Sequence, residues 1–433
     1  MHGKIGAVDY ADQKSVGQQG LLEMFRVQLP VILGLTILIQ LVVGGFTHGI
    51  ANLPEQSQNA VLLSLAANLL GLLSYRRLRL YPGARRLAYV IPSFALSWAV
   101  IGLLLLATRI PYSVIQLTVG LVSGLGLAVL LNTWSRSADL RPLSLIPSPR
   151  VDQLLRDLPH LNYQFCRSPI DIEQTRSALV ADLHAELPRE WEQALAKAAL
   201  RGTPIYHVKQ ISESLTGKVQ IEHLSENAFG TLGPNPAYAA AKSIVERILA
   251  AIALILLSPI LMVAAVAIRL ESPGPAIFRQ KRVGYRGEHF TILKLRTMAT
   301  PTSLSSGLQA DITVENDPRI TRLGRWLRDL RIDEIPQLAN VVLGDMSIVG
   351  PRPETVKLSE WYEETLDFYP YRHIVLPGIT GWAQVRQGHV ASTDDVFHKL
   401  QYDFYYIKNY SLWLDLVIAL RTVGVMLKKM GAR

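Results

Sequence analysis

Ile248-Leu-Ala-Ala-Ile-Ala-Leu-Ile-Leu-Leu-Ser-Pro-Ile-Leu-Met-Val-Ala-Ala-Val-Ala-Ile268 carries no charge over 21 residues. That length lets a helix cross about 30 Å of hydrocarbon. Crossing would put residues 269–433 on the far side of the membrane, so this stretch decides the topology of the C-terminal half. Two features oppose it. Positive charge lies on both flanks, Lys242 and Arg247 before it and Arg269, Arg279, Lys281 and Arg282 after it. Ser258-Pro259 also falls at the midpoint, where proline removes a backbone donor and crowds the preceding turn. A helix bent there enters the bilayer and returns to the same face, with the Ser258 hydroxyl as a partner for the freed backbone. A kinked but fully spanning helix is the alternative.

Toward the N-terminus lie four more apolar runs, 27–47, 59–75, 87–108 and 110–134, with only Arg109 between the last two. The loop after the second run holds Arg76, Arg77, Arg79, Arg85 and Arg86, and Arg136, Arg141 and Arg150 follow the fourth. By the positive-inside rule both ends of this bundle face the cytoplasm. A polar stretch precedes the first run and no small-residue cleavage site follows it, so no signal peptide is expected. The composition agrees with a membrane protein. Charged residues are 18% of 433, against about 25% in soluble domains, and hydrophobic residues are 49%. That excludes disorder and an ordinary soluble enzyme. The net charge of +9 then suits an anionic membrane surface rather than nucleic acid. The single cysteine, Cys166, excludes an intrachain disulfide and fits a reducing compartment.

These features predict a membrane α plus α/β chain. Residues 1–26 form a cytoplasmic N-terminal segment and 27–135 a four-helix transmembrane bundle. Residues 136–235 form a small cytoplasmic, Rossmann-like α/β domain without GxGxxG. Residues 236–433 form an α/β domain with a re-entrant helix over 248–268 and an interfacial helix over 412–427. Within the small domain, 178–187 and 189–200 read as helices, and 203–208 and 218–223 as strands. Asp182, His184 and Glu186 read as a solvated face.

The chemistry-bearing residues crowd the last 160 positions. In Phe290-Thr-Ile-Leu-Lys-Leu-Arg-Thr-Met298, Lys294 and Arg296 share a face if the run is a strand, which suits a phosphate group or an exposed polar face. Arg322, Arg325 and Arg328 recur at three-residue spacing on a helical pattern, and Arg331 extends the series. Asp333-Glu334 precede a proline: Asp333 is placed to cap the helix that begins there, and as an ionised carboxylate among arginines it can attack phosphorus. Pro351 and Pro353 hold Arg352 on a stiff loop. Tyr402, Asp403, Tyr405 and Tyr406 read as packing and interfacial anchoring.

Four runs, Lys294-Leu-Arg-Thr-Met298, Asp333-Glu-Ile-Pro-Gln337, Gly344-Asp-Met-Ser-Ile-Val-Gly-Pro-Arg-Pro353 and Leu376-Pro-Gly-Ile-Thr-Gly-Trp-Ala-Gln384, occur in this order. Together they resemble the bacterial sugar transferases, the monotopic polyprenyl-phosphate phosphoglycosyl transferases. The resemblance covers about 240–430. The N-terminal spans and small domain resemble the large members that initiate exopolysaccharide or O-antigen synthesis. The resemblance implies that a UDP-sugar, glucose or galactose as first guess, gives sugar 1-phosphate to undecaprenyl phosphate and releases UMP. It implies Asp333 as nucleophile with Glu334 as partner, and Mg²⁺ held at Asp333. The substrate phosphates would meet Lys294, Arg296, Arg328 and Arg352, with Arg282 and Arg386 as further candidates. Ser258 and Pro259 would break a re-entrant helix. Many relatives have Asn-Gly-Arg where this chain has Gln387-Gly388-His389, so Arg386 is the substitute cation. A bacterial inner-membrane location, a cytoplasmic catalytic domain and a homodimer are also expected. The rival from another class is a catalytically inactive scaffold for assembly partners. A transporter is disfavoured because the first four spans carry almost no charge.

Overall fold

The computed structural model describes residues 25–48, 54–78, 86–134, 142–175, 177–220, 234–299, 317–387 and 393–427. Residues 1–24, Arg79, Arg85, Arg136, Arg141, Gly388 and His389 lie outside them, as do 221–223 of the expected strand over 218–223. The chain divides into two compact units after Gly217. The division falls earlier than the expected boundary at 235, because the Val219 amide donates to the Gln401 carbonyl at 3.1 Å within the second unit. Residues 218–220 are accordingly not a strand.

The first unit opens with α1 (Phe25–His48), α2 (Glu55–Leu78), α3 (Arg86–Thr108) and α4 (Val114–Trp134), each long and apolar enough to cross a membrane. Apolar side chains such as Leu38, Leu62, Leu103 and Val122 face outward, and polar groups turn inward. Gln40 donates to Ser64 Oγ at 3.1 Å and to the Gln116 carbonyl at 2.8 Å, and Gln116 returns a bond to the Gln40 carbonyl at 3.2 Å. Asn68 accepts from Trp98 Nε1 and donates to the Gly120 carbonyl, both at 3.1 Å. A Cβ on Gly124 would stand 2.3 Å from Asn68 Nδ2, so glycine is what lets α4 approach α2. Small residues at the contact and hydrogen bonds between helices replace the hydrophobic drive that lipid does not supply.

A four-stranded parallel sheet of order β2-β1-β3-β4 follows in the same unit, formed by β1 (Leu143–Leu145), β2 (Tyr163–Phe165), β3 (Leu179–Ala181) and β4 (Ile205–His207). Connecting helices cover both faces. α5 (Pro149–Asp157) and α8 (Val208–Thr216) pack on Leu143, Leu145 and Val180. α6 (Pro169–Gln174) and α7 (Arg189–Leu200) pack on Leu179 and Ala181. The expected helix over 178–187 is therefore a central strand and a turn. A short, wholly buried apolar run has no periodicity to tell strand from helix. Asp182 also departs from expectation: it is buried, ion-paired to Arg150 at 3.2 Å and 3.5 Å from His207 Nε2. His184 is exposed and meets the His207 ring at 4.5 Å.

The second unit is built on α9 (Pro236–Glu271), a 36-residue helix that runs unbroken through Pro259. Proline at 259 cannot bond the carbonyl of Ile255, and Ser258 Oγ donates to that carbonyl at 2.7 Å. Along the apolar stretch α9 exposes Ile252, Ile255, Leu256, Met262 and Val263, a surface that needs an apolar surrounding. Its two ends are buried. Ala250 packs with Ile292, Val341 and Met346, and Ala264 and Ile268 pack with Leu295 and Leu327.

The partners of α9 are the antiparallel hairpin β5 (Ile277–Val283) and β6 (His289–Leu295), then α10 (Arg322–Asp329) and α11 (Gln337–Leu343). β7 (Ser347–Val349) pairs in parallel with β8 (Gly378–Thr380); α12 (Val356–Thr365) lies between them in sequence, and α13 (Trp382–Arg386), α14 (Thr393–Lys408) and α15 (Leu412–Leu427) complete the unit. Lys242 on α9 donates to Asp415 at 2.6 Å, to Tyr406 at 3.0 Å and to the Val349 carbonyl at 2.9 Å, tying α9 to β7, α14 and α15. Tyr402, Asp403, Tyr405 and Tyr406 are all buried, so they pack the interior and none is free to anchor at an interface. α15 buries Leu414, Val417 and Ile418 and leaves the apolar Leu412, Val423 and Met426 exposed.

Candidate active site

α10 is where the site begins. A Cβ on Gly324 would stand 2.1 Å from the Thr297 carbonyl, so only glycine lets this helix close on the strand that ends at Leu295. The approach brings Arg328 Nε to Thr297 Oγ1 at 2.8 Å. After Leu330 the chain reverses at Arg331, whose φ is 57°, a left-handed conformation that costs an L side chain about 1–2 kcal/mol. Such strain concentrates at functional sites. Ile332–Glu334 then form one 3-10 turn that aims both carboxylates inward.

The two acids differ in their surroundings. Glu334 accepts from Arg331 at 3.0 Å on one oxygen and from Arg352 at 2.9 Å on the other. Burial pushes its pKa up, but Arg352, Arg331 and Lys294 overrule that and hold it down to about 2. Glu334 is thus a fixed anion. Asp333 accepts no hydrogen bond and makes no ion pair among the described residues. Burial, then the neighbouring Glu334, pushes its carboxyl up to about 6 against the pull of Lys294, Arg328 and Arg352. It does not cap a helix, since no backbone amide donates to it and the turn leaves it facing the cations. Lys294, on β6, has its pKa pushed down to about 7 by burial and by Arg352, which disfavour its charged form until an anion sits beside it.

Arg352 is held by its own backbone. Gly350 N donates to the Thr380 carbonyl at 2.8 Å and Gly378 N to the Pro351 carbonyl at 2.9 Å. Arg282 donates to the Pro353 carbonyl at 3.0 Å and Arg372 to the Arg352 carbonyl at 2.9 Å. Arg372 is itself paired to Asp403 at 2.8 Å, both buried. Glu354, paired with Lys399, is raised by burial but held at about 2 by Lys399, Arg372 and Arg282. Two prolines and four bonds thus aim one guanidinium.

Of the expected residues, the structure brings together Asp333, Glu334, Lys294, Arg328 and Arg352. It assigns three others elsewhere. Arg296 donates to the Ser272 carbonyl at 2.6 Å, the Ser272 hydroxyl at 2.9 Å and the Pro273 carbonyl at 2.7 Å, so it satisfies the C-terminal end of α9. The shared-face argument fails for it because β6 ends at Leu295. Arg282 is used on Pro353 and Gln280, where it steadies the Arg352 loop. Arg386 stacks on Trp382 and Tyr402, with centroid distances of 5.4 and 5.9 Å. Arg372, Glu354, Asp403 and Thr297 were not legible as site residues, because each acts on a segment distant in sequence.

A groove of about 210 Å³ opens beside the pair, reached by Arg331 and Glu334 at one end and lined mainly by apolar side chains. Comparison with known proteins adds the family. A model described as Bacterial sugar transferase matches residues 237–429. A UDP-N-acetylgalactosamine-undecaprenyl-phosphate N-acetylgalactosaminephosphotransferase from Aeromonas hydrophila is 42% identical over 367 residues, covering 84% of this chain and 85% of that protein. A UDP-glucose:undecaprenyl-phosphate glucose-1-phosphate transferase from Caulobacter vibrioides is 39% identical, covering 62% of this chain and 96% of its own length. The enzyme of the same name from Escherichia coli is 41% identical over 41% of this chain and 38% of its own length. The longest of these matches reaches well beyond the second unit, and with it the chain is shown to belong to the bacterial sugar transferase family, as a phosphoglycosyl transferase.

Proposed function

We propose that this protein transfers sugar 1-phosphate from a UDP-sugar to undecaprenyl phosphate, through a covalent intermediate on Asp333, as the first step of exopolysaccharide or O-antigen assembly. One observation carries the mechanism: of two adjacent buried carboxylates, Glu334 is bound on both oxygens and Asp333 on neither among the described residues. An Asp333 oxygen attacks the sugar-bearing phosphorus, the bond to the bridging oxygen breaks, and UMP leaves with the electron pair. A phosphate oxygen of the lipid then attacks the same phosphorus, and the acyl-phosphate bond breaks to restore the carboxylate. Lys294, Arg328 and Arg352 offset the charge that builds on the transferred group. Among the described residues no group of three acidic, histidine or cysteine side chains could hold a metal alone. An unencumbered carboxylate plus substrate phosphates is nonetheless a donor set that suits Mg²⁺. Asp333 and the donor diphosphate would hold it, and when bound it neutralises phosphate charge.

The relative matched over 84% of this chain bears N-acetylgalactosamine in its name, so UDP-N-acetylgalactosamine leads the donor panel, ahead of UDP-glucose and UDP-galactose. UMP release with any of these donors, lost in Asp333→Asn, supports the reading; no release with any donor favours the inactive scaffold. A pH profile gives a second check. With its pKa raised to about 6, Asp333 is protonated and inert at lower pH. The kcat/KM for donor should therefore fall about tenfold per unit below pH 6, well above the ordinary carboxylate range. An acid limb near pH 4 would contradict it.

The same reading makes α9 re-entrant and both units cytoplasmic outside the bilayer. Its support is the positive charge on both flanks and the Ser258 hydroxyl serving the carbonyl that Pro259 orphans. In a Cys166→Ser background, Ala241→Cys and Lys281→Cys should both react with an impermeant maleimide from the cytoplasmic face only. Reaction from opposite faces means a spanning helix. A homodimer is also proposed, from domain layout, and a monomer by light scattering in nanodiscs would refute it.

A further inference from the structure

We infer that the groove beside Glu334 holds the head of the acceptor's isoprenoid chain, and that Arg331 is the cation at its polar end. The inference rests on the proposed transfer to a lipid phosphate and adds where that lipid lies. The lining carries the argument. Ile335 and Leu338 come from the segment just after the carboxylates, Ile379 from β8, and Val425 and Met426 from α15. All are aliphatic side chains; Thr380, Gln384 and Thr422 add polar groups, and among the described residues no aromatic ring lines the groove on which a base could stack. Its charged lining is Arg331, Glu334 and Asp329; Lys294, Arg328 and Arg352 do not line it.

Charge divides the site in the same way. Arg352 binds one oxygen of Glu334 and Arg331 the other, so the carboxylate separates two approaches. The approach with three cations suits the diphosphate of a soluble donor. The groove, with one cation, two carboxylates (Asp329 and Glu334) and an apolar floor, suits a hydrocarbon tail with a single phosphate at Arg331 and disfavours a diphosphate. The groove also includes Met426, which is exposed on α15, as is Val423, so its apolar lining is continuous with an apolar exposed patch.

The test separates the two half-reactions in full-length protein in nanodiscs. Val425→Trp fills the groove, and Met426→Asp places a charge at its mouth without filling it. The donor half-reaction is read as the UMP burst without acceptor. The acceptor half-reaction is read as decay of the labelled aspartyl intermediate on adding undecaprenyl phosphate. Each variant should slow the acceptor half-reaction at least tenfold more than the burst, with a raised KM for the lipid. A loss confined to the burst would place the nucleoside in the groove, and an unchanged acceptor half-reaction in Met426→Asp would leave the groove without this role; either overturns the inference. If wild-type protein carries no label on Asp333, the transfer mechanism itself fails, whatever the groove does.

Discussion

Asp333→Asn should abolish turnover, with a loss of at least about 10⁴-fold in UMP release and no label retained after donor is added. The amide keeps the shape of the side chain and removes the nucleophilic oxygen's charge. Its effect on folding should be of opposite sign. The Asp333 carboxyl has a raised pKa because burial and Glu334 disfavour its ionised form more than Lys294, Arg328 and Arg352 favour it. A neutral replacement is therefore tolerated, and Tm should hold or rise. A folded protein without activity is the expected pair of results. Retention of more than about 1% of wild-type turnover would mean that the phosphosugar is carried elsewhere or transferred directly. Glu334 cannot take over the role, since Arg331 and Arg352 hold its lone pairs and keep it a weak base at about 2.

Arg352→Ala should lower kcat/KM for donor by about 10²–10³-fold, the usual effect of deleting one preorganised donor from a charge-stabilising site. Two losses combine. The transferred phosphoryl group loses a guanidinium, and Glu334 loses one of its two partners. Arg352→Lys should recover little, because an ammonium cannot bridge a carboxylate and a phosphate with one planar fork. Circular dichroism and Tm are the controls. The loop is clamped through backbone atoms by Arg282, Arg372 and β8, none of which depends on the Arg352 side chain. Full activity in Arg352→Lys would reduce its role to a point charge, and full activity in Arg352→Ala would remove it from the site.

Much of this architecture was legible in one dimension. Uncharged runs of membrane length marked five helices long and apolar enough to cross a membrane, because hydrocarbon rejects charge regardless of packing. Asp333, Glu334 and Arg352 stood out because a carboxylate pair before proline and an arginine between prolines are local signals. The turn at Arg331, and the strand at 179–181 hidden in a helical pattern, were not legible, since burial and pairing partners decide them.

What the sequence alone determined was the kind of molecule and the set of candidate groups, since chain-local hydropathy, charge and motif order suffice for that. Only the tertiary structure decided which cations belong to the carboxylates. Arg296 and Arg328 look equivalent on paper, yet one satisfies the end of α9 and the other faces Asp333. It also decided which acid is available: Glu334 is bound twice and Asp333 not at all among the described residues. The reason is that a guanidinium chooses among acceptors by distance and burial, and both arise only when segments far apart in the chain are packed together.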